Sequence, residues 1–147
     1  MDRKIVIALA LLLVVVIAGG VLIALPTPTG NGNGNIPSRP FTSENINVSS
    51  PLPNASVAKT IIVRGEARGT WYFEASFPLE VLDKDGNSIA MSYATAQGEW
   101  MTTEFVPFEG EILVQNYSGP ATLVLHKDNP SGLPEHDDSV SLPIVIQ

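Results

Sequence analysis

Few residues in this 147-residue chain can do chemistry. Glu66 and Glu74 form one candidate pair. A glycosidase needs two carboxylates at a fixed separation, one as acid and one as nucleophile or base. Arg68 stands between them and offers a second reading. A guanidinium there would saturate the carboxylates at a sheet edge. The structural reading is the one we carry forward, with Arg68 paired to Glu66 or Glu74.

His126 and His136 lie near Asp128, Asp137 and Asp138. Such a set can hold a metal, but the ligand spacing of a zinc site and a helical i,i+4 pair are both missing. Asp137-Asp138 reads instead as a solvated loop. Asp83, Asp85 and Asn87 imitate the first ligands of a calcium loop, D-x-D-x-N. That loop needs Gly at its sixth place and Glu at its twelfth. Ser88 and Ala94 stand there, so a hairpin turn is expected, with Gly86 at positive φ. A nucleophilic serine needs a histidine backed by a carboxylate. Ser131 follows Pro130 in a loop not far from His126, yet no G-x-S-x-G is present. No glycine-rich phosphate loop precedes a helix. Cysteine is absent, which excludes disulfides and thiolate metal sites. No catalytic residue, metal or cofactor is expected.

The elements that would position these residues are strands. Gly65 to Phe77, G-E-A-R-G-T-W-Y-F-E-A-S-F, packs Trp71, Tyr72, Phe73 and Phe77 among the charges. Aromatics favour strands, and Gly65 and Gly69 mark bends or close backbone approaches. The stretch reads as the end of one core strand, a short connection and the start of the next. Alternation places further strands over Glu44–Ser49, Thr60–Glu66, Phe77–Val81, Ser88–Ala94, Trp100–Phe108, Glu111–Tyr117 and Ala121–Lys127. Glu111–Tyr117 and Ala121–Lys127 read as an antiparallel pair around Ser118-Gly119-Pro120. Val140, Leu142, Ile144 and Ile146 close the chain, with Pro143 marking an edge strand. The expected fold is all-β, an immunoglobulin-like two-sheet sandwich, with a small barrel as the alternative. The Cys–Trp–Cys core of antibody domains is missing, so apolar packing must hold the sheets.

The chain divides into four parts. Residues 1–4 form a cytoplasmic stub. Ile5–Leu25 contains no charged or strongly polar residue and would span about 31 Å as a helix, the thickness of a bilayer core. Arg3 and Lys4 precede it and no basic residue follows until Arg39, which places the N-terminus inside the cell. The expectation is an uncleaved signal anchor whose partner is the lipid bilayer. A cleaved signal peptide with a site at Ala18-Gly19-Gly20 is the alternative. Residues 26–40 are a Pro/Gly/Asn-rich flexible tether. Residues 41–147 are the β domain, extracytoplasmic in this topology. They hold five Lys and Arg against fourteen Asp and Glu, a net charge of −9. That balance argues against nucleic acid as a partner.

An ordered series of motifs runs through the domain. It begins with Ser50-Pro51-Leu52-Pro53-Asn54-Ala55 and continues with Val63 to Pro78, which includes Glu66, Arg68, Gly69, Trp71, Glu74 and Phe77. Gly98-Glu99-Trp100-Met101-Thr102, Phe105, Phe108 and Lys127-Asp128-Asn129-Pro130-Ser131-Gly132 follow. The series resembles the immunoglobulin-like domain of bacterial spore germination, the second of the GerMN-associated domain families. The resemblance implies an extracytoplasmic, non-enzymatic sandwich found beside the GerMN domain or alone behind a membrane anchor or lipoprotein signal. The motifs also read physically. Pro51 and Pro53 pre-set a turn that Asn54 can close through its side chain. Trp100 supplies an apolar body whose indole N–H needs a partner. Asp128 and Asn129 can bind backbone N–H groups and fix a loop.

Three functions compete on this reading. The first is a membrane-anchored, non-catalytic interaction or structural module of the bacterial cell envelope, with an envelope protein or glycan as partner. The second is a carbohydrate-binding module or hydrolase in which Trp71, Tyr72 and Trp100 stack on sugar rings and Glu66 or Glu74 takes part. The third is a pilin-like subunit. Pilin-type precursors carry a Gly before the apolar run and a Glu inside it, and this chain has neither.

Overall fold

A computed structural model describes residues 38–147. The stub, the apolar run and most of the tether lie outside the described residues. Among the described residues no helix is long and apolar enough to cross a membrane.

The domain is built from nine strands: β1 (Phe41–Thr42), β2 (Ile46–Ser50), β3 (Ala55–Val57), β4 (Thr60–Arg68), β5 (Ser76–Leu82), β6 (Ser88–Ala96), β7 (Phe105–Leu113), β8 (Gly119–His126) and β9 (Ser139–Ile146). Two single 3-10 turns, Gly69–Trp71 and Pro134–His136, interrupt them. The strands form where apolar residues recur at every second position. Ile61, Val63 and Ala67 of β4, Phe77, Leu79 and Val81 of β5, and Val106, Phe108 and Ile112 of β7 all point inward.

All nine strands join in one continuous sheet, in the order β1-β2-β4-β7-β6-β5-β8-β9-β3. The sandwich arises because this sheet folds over on itself. β6 pairs with β5 over its length but with β7 only through Ala94–Ala96. Along Ser88–Tyr93, before that pairing begins, the two neighbours of β6 diverge into facing layers. β7 then lies opposite β5, and a Cβ at Gly110 would sit 2.7 Å from Leu79 Cδ1. The absence of a side chain at Gly110 lets the layers close there.

The core between the layers is aromatic at its centre. The Phe77 ring meets Trp71 at 5.9 Å, Tyr72 at 5.3 Å and Phe108 at 5.0 Å between centroids, edge to face with Trp71 and Phe108. Such geometry adds to the burial of the rings themselves. Gly65 of β4 is pressed between Asn47 O, 2.0 Å from a Cβ built there, and the Phe108 ring, 2.7 Å away. The Asp83–Asn87 hairpin forms as expected between β5 and β6, with Gly86 at φ 84°.

Four expectations need correction. Glu111–Tyr117 is not a separate strand, and it does not pair with Ala121–Lys127. Val106, Phe108, Gly110 and Ile112 point inward in one unbroken register, so Glu111 belongs to the end of β7. β7 pairs with β4, and β8 pairs with β5 and β9. The strand expected from Trp100 begins only at Phe105, and Met101 is exposed. Pro143 does not leave β9 as a bare edge, because β3 pairs in parallel with Ile144–Ile146. β3 has only three residues, too few for alternation to signal.

The packing makes a stability prediction. Phe77→Ala should lower the unfolding free energy by about 3–5 kcal/mol, because the ring is fully buried among three aromatics. Met91→Ala, on an exposed position, should stay within about 0.5 kcal/mol of the parent. Urea unfolding followed by tryptophan fluorescence measures both, and equal midpoints would show that Phe77 is not the centre of the core.

Candidate functional site

The family-type motifs from Val63 onward converge at one end of the sandwich, around the 3-10 turn that follows β4, while the Pro51–Asn54 turn lies apart from them against β9. Gly69 opens that turn under close constraint. A Cβ there would lie 2.0 Å from Thr102 O and 2.3 Å from Trp100 O, both backbone atoms. The Gly69 N–H donates to Glu104 O at 3.1 Å. The W-M-T segment thus rests its main chain on a residue without a side chain. Trp100 packs half-buried against the core.

Trp71 closes the turn and is 1 % exposed. Its carbonyl accepts from the Asp128 N–H at 3.0 Å, which fastens the K-D-N-P-S-G loop to the core. Among the described residues the Trp71 indole Nε1 has no hydrogen-bond partner. Tyr72, 4 % exposed, donates its hydroxyl to Val106 O at 2.6 Å. Burial, foremost, raises the Tyr72 pKa far above the ordinary tyrosine value, so the phenol stays neutral. Phe77 completes this buried group. Trp71 and Tyr72 therefore offer no ring to stack on a sugar.

The loop motifs hold themselves together, though by other atoms than expected. Asn129 Nδ2 donates to Leu133 O at 2.8 Å and to Asp137 Oδ1 at 2.7 Å, while its Oδ1 accepts from the Ser131 hydroxyl at 2.5 Å. Asp128 takes part through its backbone N–H. At the other motif, the turn over Leu52–Ala55 closes by the Ala55 N–H donating to Leu52 O at 3.0 Å. Asn54 serves it by adopting φ 63°, a conformation asparagine tolerates better than most residues. Its backbone N–H donates to Pro143 O at 2.6 Å, which ties the Pro51–Pro53 segment to β9.

Arg68 does not pair with Glu66 or Glu74. Its guanidinium lies 4.1 Å from the centroid of the Phe105 ring. Its Nε and Nη1 donate to Glu44 O and Thr103 O at 3.4 and 3.3 Å, and Glu104 Oε2 lies at 4.0 Å. The cause is register: Arg68 sits opposite Phe105 across the β4–β7 ladder, so the ring is its nearest cross-strand neighbour. Glu66 accepts instead from Asn47 Nδ2 at 2.9 Å. Glu74 is exposed in the tight turn before β5, at φ 48°. The two carboxylates thus belong to different local structures, one held by a neighbouring strand and one set in a turn.

The serine, the histidines and the Asp83 loop singled out in the sequence are also tied to structural partners. The Ser131 hydroxyl meets His136 Nδ1 at 3.0 Å, rather than His126. That oxygen gives its proton to Asn129 and accepts from the Leu133 N–H at 3.2 Å, so its lone pairs are engaged within the loop. His126 Nε2 lies 2.9 Å from Glu80 Oε2 across the β5–β8 ladder. The Ser88 hydroxyl, foremost, and then His126 hold the Glu80 carboxyl below its ordinary value. Asp83 accepts from the Asp85 and Asn87 backbone N–H groups at 2.8 and 2.9 Å and from the Asn87 side chain. These bonds, led by the Asn87 side chain, lower its pKa. Among the described residues no group of three His, Asp or Glu is arranged to hold a metal ion. An open depression of about 620 Å³ lies beside His126, Lys127, Asp137, Asp138 and Ser139.

The Ser131–His136 contact carries no spacing signal that a sequence could show. The same holds for the divergence of β6 from β7, which leaves Met91, Tyr93 and Leu113 at 67, 61 and 51 % exposure.

In comparisons with known proteins, the model of the immunoglobulin-like domain of bacterial spore germination matches residues 45–132. No curated protein matches the chain.

Two outcomes follow for this end of the domain. Gly69→Ala should destabilise severely, by more than the about 1 kcal/mol expected for Arg68→Ala, because it drives a methyl into two carbonyls while Arg68 is partly exposed. Comparable losses in denaturant unfolding would reverse the ranking of the glycine and the arginine. For Glu80, a folded-state pKa below 4.5 means that its contribution is complete above that value and is lost as pH falls through the lowered one. Glu80→Gln should therefore show a smaller fall in Tm than the parent between about pH 5 and pH 3. Parallel curves would show that Glu80 is not a stabilising carboxylate.

Proposed function

This chain belongs to the family of the immunoglobulin-like domain of bacterial spore germination, and from that premise we propose that it is a non-catalytic interaction or structural module of the bacterial cell envelope. In this reading Ile5–Leu25 anchors it in the membrane, residues 26–40 hold the domain clear of the surface, and the domain faces outward.

One observation carries the non-catalytic part. The motif residues are spent on the fold: Gly69 is a contact point for backbone, Trp71 and Phe77 fill the core, and Asp128 and Asn129 fasten a loop. Enzymes gather titratable groups with shifted pKa values in a cleft. Here Glu80 and Asp83, whose values are lowered, sit in a cross-strand pair and a hairpin turn. The anchored part rests on the unbroken apolar run and the basic residues before it. The carbohydrate-binding alternative keeps only Trp100 of its three stacking residues, and that one is half-buried.

Expression of the full chain in a bacterium tests both parts. The protein should sediment with membranes and resist alkaline extraction, and the purified chain should neither turn over peptidoglycan or soluble glycans nor gain Tm on addition of zinc. A soluble, processed form beginning near Val21 would overturn the anchor. Glycan turnover abolished by Glu74→Gln, with the fold intact, would overturn the non-catalytic reading.

A further inference from the structure

The place where β6 leaves β7 combines three features that no structural role accounts for. The first is an open strand edge. β6 pairs with β5 from Ser88 onward but meets β7 only at Ala94–Ala96, so its Ser88–Tyr93 segment has a strand neighbour on one side alone. The Glu111–Leu113 end of β7 is likewise paired only towards β4. The Ser92 hydroxyl donates to Glu111 O at 2.6 Å, a side-chain bond where the ladder has ceased. Past that bond lies a notch of about 310 Å³ lined by Ile89, Leu113, Val114, Gln115, Asn116 and Tyr117.

The second feature is apolar exposure. Of the seven large apolar residues exposed among those described, Met91, Tyr93 and Leu113 stand at this one divergence. Extending the β6–β7 register sets Met91 opposite Leu113 and Tyr93 opposite Glu111. The third feature is charge. Glu109 is paired with Arg64 at 2.6 Å, whereas Glu111, two residues on and exposed, makes no ion pair with any described residue.

We propose that this divergence is a docking surface for an extended segment of another protein that carries aliphatic residues and a Lys or Arg at every second position, on one face. The occupant is specified by the three features together. A one-sided strand edge offers backbone N–H and C=O groups, which an extended chain satisfies by adding a strand. Alternate side chains of an added strand point to one face, so its aliphatic residues meet Ile89, Met91 and Leu113. A Lys or Arg two residues along the same face meets the carboxylate of Glu111, which shares that face with Leu113, in keeping with the −9 charge of residues 41–147. The proposal rests on reading the chain as an interaction module and names the face and the chemistry of its partner.

The test uses the full chain purified in mild detergent and immobilised as bait for a library of short random peptides, with the double variant Met91→Glu/Leu113→Glu selected in parallel. Both positions are exposed, so the variant should keep the parent's Tm. Peptides retained by the parent alone should carry aliphatic residues and a Lys or Arg at every second position. A synthetic copy of the best should bind the double variant at least about tenfold more weakly. Glu111→Lys should weaken it as well and shift selection to acidic peptides. Peptides that bind parent and double variant alike would overturn this face while leaving an interaction module standing. Concentration-dependent dimers abolished by Leu113→Glu would identify a second copy as the occupant and overturn the heterologous segment. A failure to enrich any peptide would count against the face and the interaction reading together.

Discussion

The close approach of the two layers around Phe77 is the constraint on which the domain depends. One ring touches Trp71, Tyr72 and Phe108, which come from the 3-10 turn and from the opposite layer. Those contacts exist only because backbone can come near where side chains are missing. Gly65 lets the Phe108 ring lie against β4, Gly110 lets β7 approach Leu79, and Gly69 lets the Trp100–Thr102 segment cross the end of the sandwich. The aromatic hub and its glycines form a single packing unit. Without cysteine, this packing does the work that a disulfide performs in many sandwiches of similar size.

That unit also decides what chemistry the domain is left with. By drawing Trp71 and Tyr72 into the core, it removes the aromatic rings that might face a ligand. By fastening Asp128 to Trp71, it turns the K-D-N-P-S-G segment into a brace for the end loop. Ser131, Asn129, His136 and Asp137 then satisfy one another inside that loop. The surface that remains uncommitted lies elsewhere, where the sheet turns from one layer to the other. A sheet folded through one shared strand must have a point at which that strand loses a neighbour, and in this domain the point falls along Ser88–Tyr93 of β6. Edges of this kind are normally blunted by charge, bulges or covering strands. β3 covers β9 and β1 covers β2. At the divergence Met91, Tyr93 and Leu113 are instead apolar and exposed, with Glu111 beside them.

Much of this was legible in residue order. Alternation in Thr60–Glu66, Phe77–Val81 and the final strand pointed to the all-β class, because a strand with one buried face tends to alternate. The D-K-D-G-N hairpin was legible because its turn is closed by its own residues: Asp83 binds the N–H groups of Asp85 and Asn87. The Pro51–Asn54 turn and the Gly65–Phe77 connection were legible for the same reason, since the chemistry of a turn is local.

What depended on residues far apart in the chain could not be read this way. Arg68 has carboxylates at nearby sequence positions, yet its guanidinium lies over Phe105 because the β4–β7 register places that ring opposite. Glu66 found Asn47, Glu80 found His126, and Ser131 found His136 through strand register and loop closure. The parallel strand β3 and the fold-over at β6 are likewise properties of the assembled sheet. The sequence by itself determined the kinds of element, the Asp83–Asn87 and Pro51–Asn54 turns, Gly65 and Gly69 as contact points and the family, because each is written in a local pattern of residue types. Only the tertiary structure decided which charges meet, which aromatics are buried and where a strand edge stays open. Those outcomes depend on which distant segments are brought within a few ångströms of each other, and a one-dimensional pattern does not specify that distance.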